Sequence, residues 1–150
     1  EPLPVNVERL RRSLSANGLE EVVTVLTFAL GAAPGTLRLA PEAGKLGGNA
    51  GRGAEGIDVE VRTLDQLDEL DDLGHCTFVK IDVEGGELDV LRGGEQFFRR
   101  MRPRIVLELN RPWMSVVGWT VDDLRELGAR WGYTVDAPDG GTIELATLEP

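Results

Sequence analysis

Three carboxylates and a pair of glycines close the stretch "VKIDVEGGEL", residues 79 to 88. Asp82, Glu84 and Glu87 follow directly on strand-forming residues, and Glu108-Leu109-Asn110 ends the run "RIVLELN" further along. Carboxylates and an amide at such ends can take a proton from a hydroxyl, offset a positive charge or offer oxygen to a divalent cation. Buried without partners they are costly, which favours an edge position. Side chains alternate along a strand, so Lys80, Asp82 and Glu84 are expected on one side, with Lys80 pairing a carboxylate in a strand covered on both faces. The single histidine, His75, lies seven residues before Asp82. At about 3.3 Å per residue that is roughly 23 Å away, at the other end of the sheet, where its role is structural.

The elements that must position these groups can be read from periodicity. Residues 5–17 predict a helix, with Val7, Leu10 and Leu14 on one face and Asn17-Gly18 as its stop. Strands are expected at 21–31, 35–42 and 57–64, with a glycine-rich loop at 44–56 and a short acidic helix at 63–74. "CTFVKIDV" (76–83) is the clearest strand. A helix from Glu87 to Arg92 follows, broken at Gly93-Gly94 and resumed by "EQFFRRM", and then a strand at 104–110. "NRPWMSVVGW" reads as a loop carrying two tryptophans. Thr120 with Asp123 makes a capping-box start for a helix to Trp131, and "YTVDA" and "TIELATL" flank a turn from Pro138 to Gly141. Strands alternating with helices imply an α/β fold, a mostly parallel sheet with an antiparallel C-terminal hairpin. Ligands bind beyond the carboxyl ends of such strands, where the acidic endings at Glu1, Asp82–Glu84 and Glu108–Asn110 fall.

Composition narrows the partners. The chain has 150 residues, 41% hydrophobic and 28% charged, which suits one folded domain over residues 1–150. The formal net charge is -10, and no basic stripe is present to attract nucleic acid or an anionic membrane. A small-molecule partner remains. No apolar stretch reaches membrane-spanning length. Cys76 is the only cysteine, which excludes an internal disulfide and fits a cytoplasmic setting.

"TLDQL", then "FVKIDVEGGELDVLRGG", then "RPRIVLELN" together resemble the signature stretch of the FkbM-type methyltransferases. The resemblance runs from Glu1 to about Asn110 and implies a Rossmann-like class I methyltransferase fold that uses S-adenosylmethionine. It also implies that Glu1 ends a strand and binds the ribose hydroxyls, that Ala29 and Leu30 lie against the adenine, and that Asp82 and Glu84 face the methionine part and the acceptor. The family's first strand and glycine-rich loop would fall before residue 1, so the domain reads as N-terminally incomplete, and residues 1–150 alone are expected to bind the cofactor weakly. "GGNAGRG" (47–53) has no phosphate-loop register and reads as a flexible loop.

Methyl transfer to an aliphatic hydroxyl needs a base or a metal. With His75 misplaced, the base falls to Asp82 or Glu84, then Glu108, with Lys80 as an option only if burial lowers its pKa. A magnesium ion on Asp82, Glu108 and Asn110 is the other route, although "ELN" lacks an adjacent acid-amide pair. Asn110, Trp113 and Met114 are candidates for the acceptor pocket, and the tryptophans also suit a core plug. The leading expectation is an O-methyltransferase acting on a hydroxyl of a sugar or natural product. A non-catalytic α/β binding module of the same fold is the alternative, and a metal-dependent hydrolase or phosphotransferase a third reading.

Overall fold

Helix α1 (Pro4–Ala16) opens on Pro4, where the missing N–H is not needed, and buries Val7 and Leu14. Leu10, expected on that face, is 39% exposed. The structure is a computed structural model, and it describes residues 1–39, 56–70, 72–136 and 142–147. The glycine-rich loop, apart from Gly56, and the turn from Pro138 to Gly141 lie outside the described residues.

The strands form two small mixed sheets instead of one mostly parallel sheet. In the first, β1 (Ala29–Leu30) lies parallel to β3 (Ile57–Arg62), and β2 (Gly35–Leu39) is antiparallel to β3. In the second, β4 (Phe78–Ile81) is parallel to β5 (Arg104–Glu108). The terminal strand β7 (Thr142–Thr147) lies antiparallel between β5 and β6 (Tyr133–Asp136). Two antiparallel insertions account for the difference: β3 folds back on β2, and β7 separates β6 from β5. Both β1 and β4 have one edge without a strand partner among the described residues.

Other departures have local causes. Of the stretch 21–31 only Ala29–Leu30 pairs, and Val22 is 75% exposed. Its β-branched residues favour a strand only when a neighbouring strand packs on them. The acidic helix at 63–74 is replaced by two 3-10 turns, Leu64–Gln66 and Asp68–Leu70. "RPWMSVV" is not loop but helix α4 (Arg111–Val117), capped by Asn110.

The main core lies around the second sheet. It joins Ile105, Leu107 and Leu145 to Leu88 and Leu91 of α2 (Glu87–Arg92), Phe98 of α3 (Glu95–Met101), and Leu124, Leu127 and Trp131 of α5 (Val121–Trp131). Strand β5 explains this by alternation: Ile105 and Leu107 are fully buried while Arg104 and Glu108 face out. The α2–α3 junction touches the end of β1 so closely that a Cβ on Gly93 would stand 2.0 Å from the Gly31 carbonyl oxygen.

Candidate functional site

Strand β4 ends at Ile81, and the chain then leaves strand geometry abruptly. Glu84 takes a left-handed backbone (φ 53°) and Gly85 follows at φ 108°. A non-glycine residue held there is uncommon and must be held by its surroundings. Three contacts do this. The Glu87 carboxylate accepts hydrogen bonds at Oε1 from the N–H of Val83 (3.2 Å) and Gly85 (3.1 Å). The Trp119 indole N–H donates to the Gly85 carbonyl (2.8 Å). The Asn110 amide donates to Glu84 Oε2 (2.8 Å). A side chain on Gly85 would be strained by its φ of 108° and would bring its Cβ to 3.0 Å from that of Trp113.

Asn110 serves two elements. Its side-chain oxygen accepts from the Trp113 N–H at the start of α4, and its nitrogen holds Glu84. Pro112 stands in the first turn, where a proline is tolerated. The end of β5 and the turn after β4 are therefore tied through one amide.

Lys80 lies on the strand but is exposed, which corrects the expectation of a doubly covered strand. Its ammonium bonds Asp82 Oδ2 at 2.9 Å and stands 3.6 Å from Glu108 Oε2. The Asp82 hydrogen bond, with the charges of Asp82 and Glu108, holds the lysine above the usual ammonium range. Lys80 as a base needed the opposite shift, so that option is withdrawn. His75 is exposed, before the start of β4.

Two cavities meet at these acids. A groove of about 580 Å³ runs between the sheets, lined by Phe28, Ala29, Leu30, Leu37, Val79 and Ile81 along its apolar sides and by Glu1, Asp82 and Glu84 among its polar groups. A cleft of about 400 Å³ is lined by Asp82, Glu84, Glu108, Leu109, Asn110, Arg111 and Pro112. Asp82 and Glu84 border both. The structure thus brings Glu1, Ala29, Leu30, Asp82 and Glu84 to one groove and Asp82, Glu84, Glu108 and Asn110 to one cleft. It does not bring the remaining acceptor candidates there. Met114 is 5% exposed within the main core, and Trp113 packs over Gly85; neither lines the cleft.

Glu1 borders the groove, and its Oε1 accepts from the Leu3 N–H. Phe28, beneath the Arg62 guanidinium at 4.4 Å, is a groove residue the sequence reading passed over. Glu87, one of the three carboxylates of the quoted stretch, and Trp119, weighed as pocket lining or core plug and found in the core, were not expected to hold this turn. Among the described residues no three His, Cys, Asp or Glu side chains converge as a metal-holding group, and no helix is long and apolar enough to cross a membrane.

The groove and the cleft share an acidic wall at the carboxyl ends of two parallel strands, where ligands bind in open α/β sheets. The sequence profile of the methyltransferase FkbM domain matches residues 1–135, and the chain belongs to the FkbM methyltransferase family. In fold it is similar to the crystal structure of methyltransferase FkbM from Methylobacillus flagellatus KT, with a TM-score of 0.58 and 21% identity. That match covers 97% of this chain, which spans 35% of the other. A search of curated proteins finds no match.

Proposed function

We propose that this domain forms part of an S-adenosylmethionine-dependent O-methyltransferase acting on a hydroxyl of a sugar or other natural-product small molecule. Family membership supports methyl transfer, and the observation that carries the reading is the wall of Asp82 and Glu84 shared by groove and cleft. The groove fits the cofactor in chemistry. Ala29, Leu30 and Phe28 would take the adenine, Glu1 would accept hydrogen bonds from the ribose hydroxyls, and Asp82 would face the methionine end. When bound, S-adenosylmethionine supplies an electrophilic methyl group on a positively charged sulfur.

The chain's own residues do the rest. Glu84, fixed by Asn110 on one oxygen, keeps its second oxygen for the proton of an acceptor hydroxyl in the cleft. Asp82 offsets positive charge in the groove, while Lys80 holds it in place and stays protonated near neutrality. Most of the acceleration is then orientation, with acceptor and donor held in line across the wall.

The test is to incubate the full-length protein with radiolabelled S-adenosylmethionine and a panel of polyhydroxylated acceptors, and to measure cofactor affinity by calorimetry. The reading expects a methylated acceptor, and weaker cofactor binding by Asp82→Asn. A protein that binds S-adenosylmethionine no better than its Asp82→Asn variant, and methylates nothing, contradicts it.

A further inference from the structure

Glu87 is fully buried, and its Oε2 has no hydrogen-bond partner among the described residues. A half-satisfied carboxyl in the interior is costly, and a native structure retains one where it does something else. The partners of its other oxygen show what that is. Oε1 holds the N–H of Val83, on the peptide that leaves Asp82, and the N–H of Gly85, on the peptide that leaves Glu84. One atom therefore fixes the peptide planes that follow the two acids of the shared wall. Between them Glu84 is forced to its left-handed φ of 53°, the backbone from which its carboxylate reaches Asn110. The Trp119 indole fixes the next plane, at the Gly85 carbonyl.

We propose that Glu87 is a positioning residue: it acts as a hydrogen-bond acceptor of fixed reach that sets Asp82 and Glu84 on the wall between groove and cleft. Glu87 itself lines neither cavity, so it takes no part in proton transfer. The proposal rests on the functional reading above for its consequence in catalysis, but not for its geometry.

Two conservative variants separate reach from chemical type. Glu87→Gln keeps an acceptor oxygen at the same distance and replaces the carboxyl group by an amide. Glu87→Asp keeps the carboxyl group and shortens the reach by one methylene. In the full-length protein, with thermal unfolding of both variants recorded, amide hydrogen exchange is followed at Val83 and Gly85. Glu87→Gln should exchange these amides as the wild type does, while Glu87→Asp should exchange them about ten- to a hundredfold faster. Methyl transfer from S-adenosylmethionine should follow the same order, with kcat falling about a hundredfold in Glu87→Asp and cofactor binding weakened through Asp82. The reverse order, or equal behaviour of the two variants, overturns the proposal. A wild type without methyl transfer would contradict the functional reading instead, and the exchange order would still decide the role of Glu87.

Discussion

The groove and the cleft share two residues and little else. The groove is bordered by aliphatic and aromatic side chains from both sheets, where a ligand gains mainly by burying apolar area. The cleft is bordered by three carboxylates and an amide; Asn110 donates to Glu84, and Lys80, from the groove side, bonds Asp82. Shape and area can hold a donor molecule, whereas only fixed polar groups can orient a hydroxyl and take its proton. Under the proposed function, affinity would come from one cavity and chemistry from the other. The turn from Asp82 to Glu87 is where the two must agree in position.

Substitutions can break that division. The largest effect is expected from Asp82→Asn, because it touches both cavities: turnover should fall about a hundredfold or more, well beyond any loss of folding, with weaker cofactor binding as well. Unchanged turnover would remove Asp82 from the site. Asn110→Ala should separate the cavities. Glu84 loses its partner and α4 its cap, so kcat should fall about a hundredfold while calorimetry finds cofactor affinity close to wild type. Leu30→Asp should do the converse, weakening S-adenosylmethionine binding with a smaller change in turnover at saturation; equal losses in both would erase the distinction.

Thr120→Ala serves as the control, since the Thr120–Asp123 capping box lies on α5 and lines neither cavity. It should lower the melting temperature by about 3 °C and leave both functions intact. The Thr120 hydroxyl and N–H hold Asp123 below the usual carboxylate range. A depressed folded pKa stabilises above the unfolded value, about 3.9, and that contribution is lost as pH falls through the lower folded value. The gap between Thr120→Ala and wild type should therefore narrow below about pH 4. Lys80 has the opposite sign. Its folded pKa is raised, so its contribution is complete below about 10.4 and is lost only as pH rises past the folded value.

The two helices that follow β5 show what the sequence could and could not reveal. Thr120 and Asp123 announce α5, and the box forms as read. Helix α4 carries a comparable signal, Asn110 followed by Pro112 in the first turn and Gly118 as a stop, yet the sequence reading gives this stretch as loop. The acids at the end of β4 were legible as a candidate site because they break a hydrophobic pattern. Their geometry was not. Alternation puts Glu84 beside Lys80, yet the strand stops at Ile81 and a left-handed residue turns Glu84 toward Asn110. Glu87 was noticed as a carboxylate, but its contacts gave no sign, because its partners are backbone N–H groups, which carry no side-chain pattern. The mixed sheets were hidden for a related reason: strand order depends on pairing between segments far apart in the chain, which local propensity does not encode.

The central claim is that Glu84 belongs to the chemistry of the cleft and not to the affinity of the groove. Single-turnover methyl transfer by Glu84→Gln in the full-length protein, beside calorimetry of S-adenosylmethionine binding, tests it most directly. The account predicts cofactor affinity within about threefold of wild type and transfer slowed at least about a hundredfold. Transfer at the wild-type rate, or a loss explained wholly by failure to bind the cofactor, would contradict it.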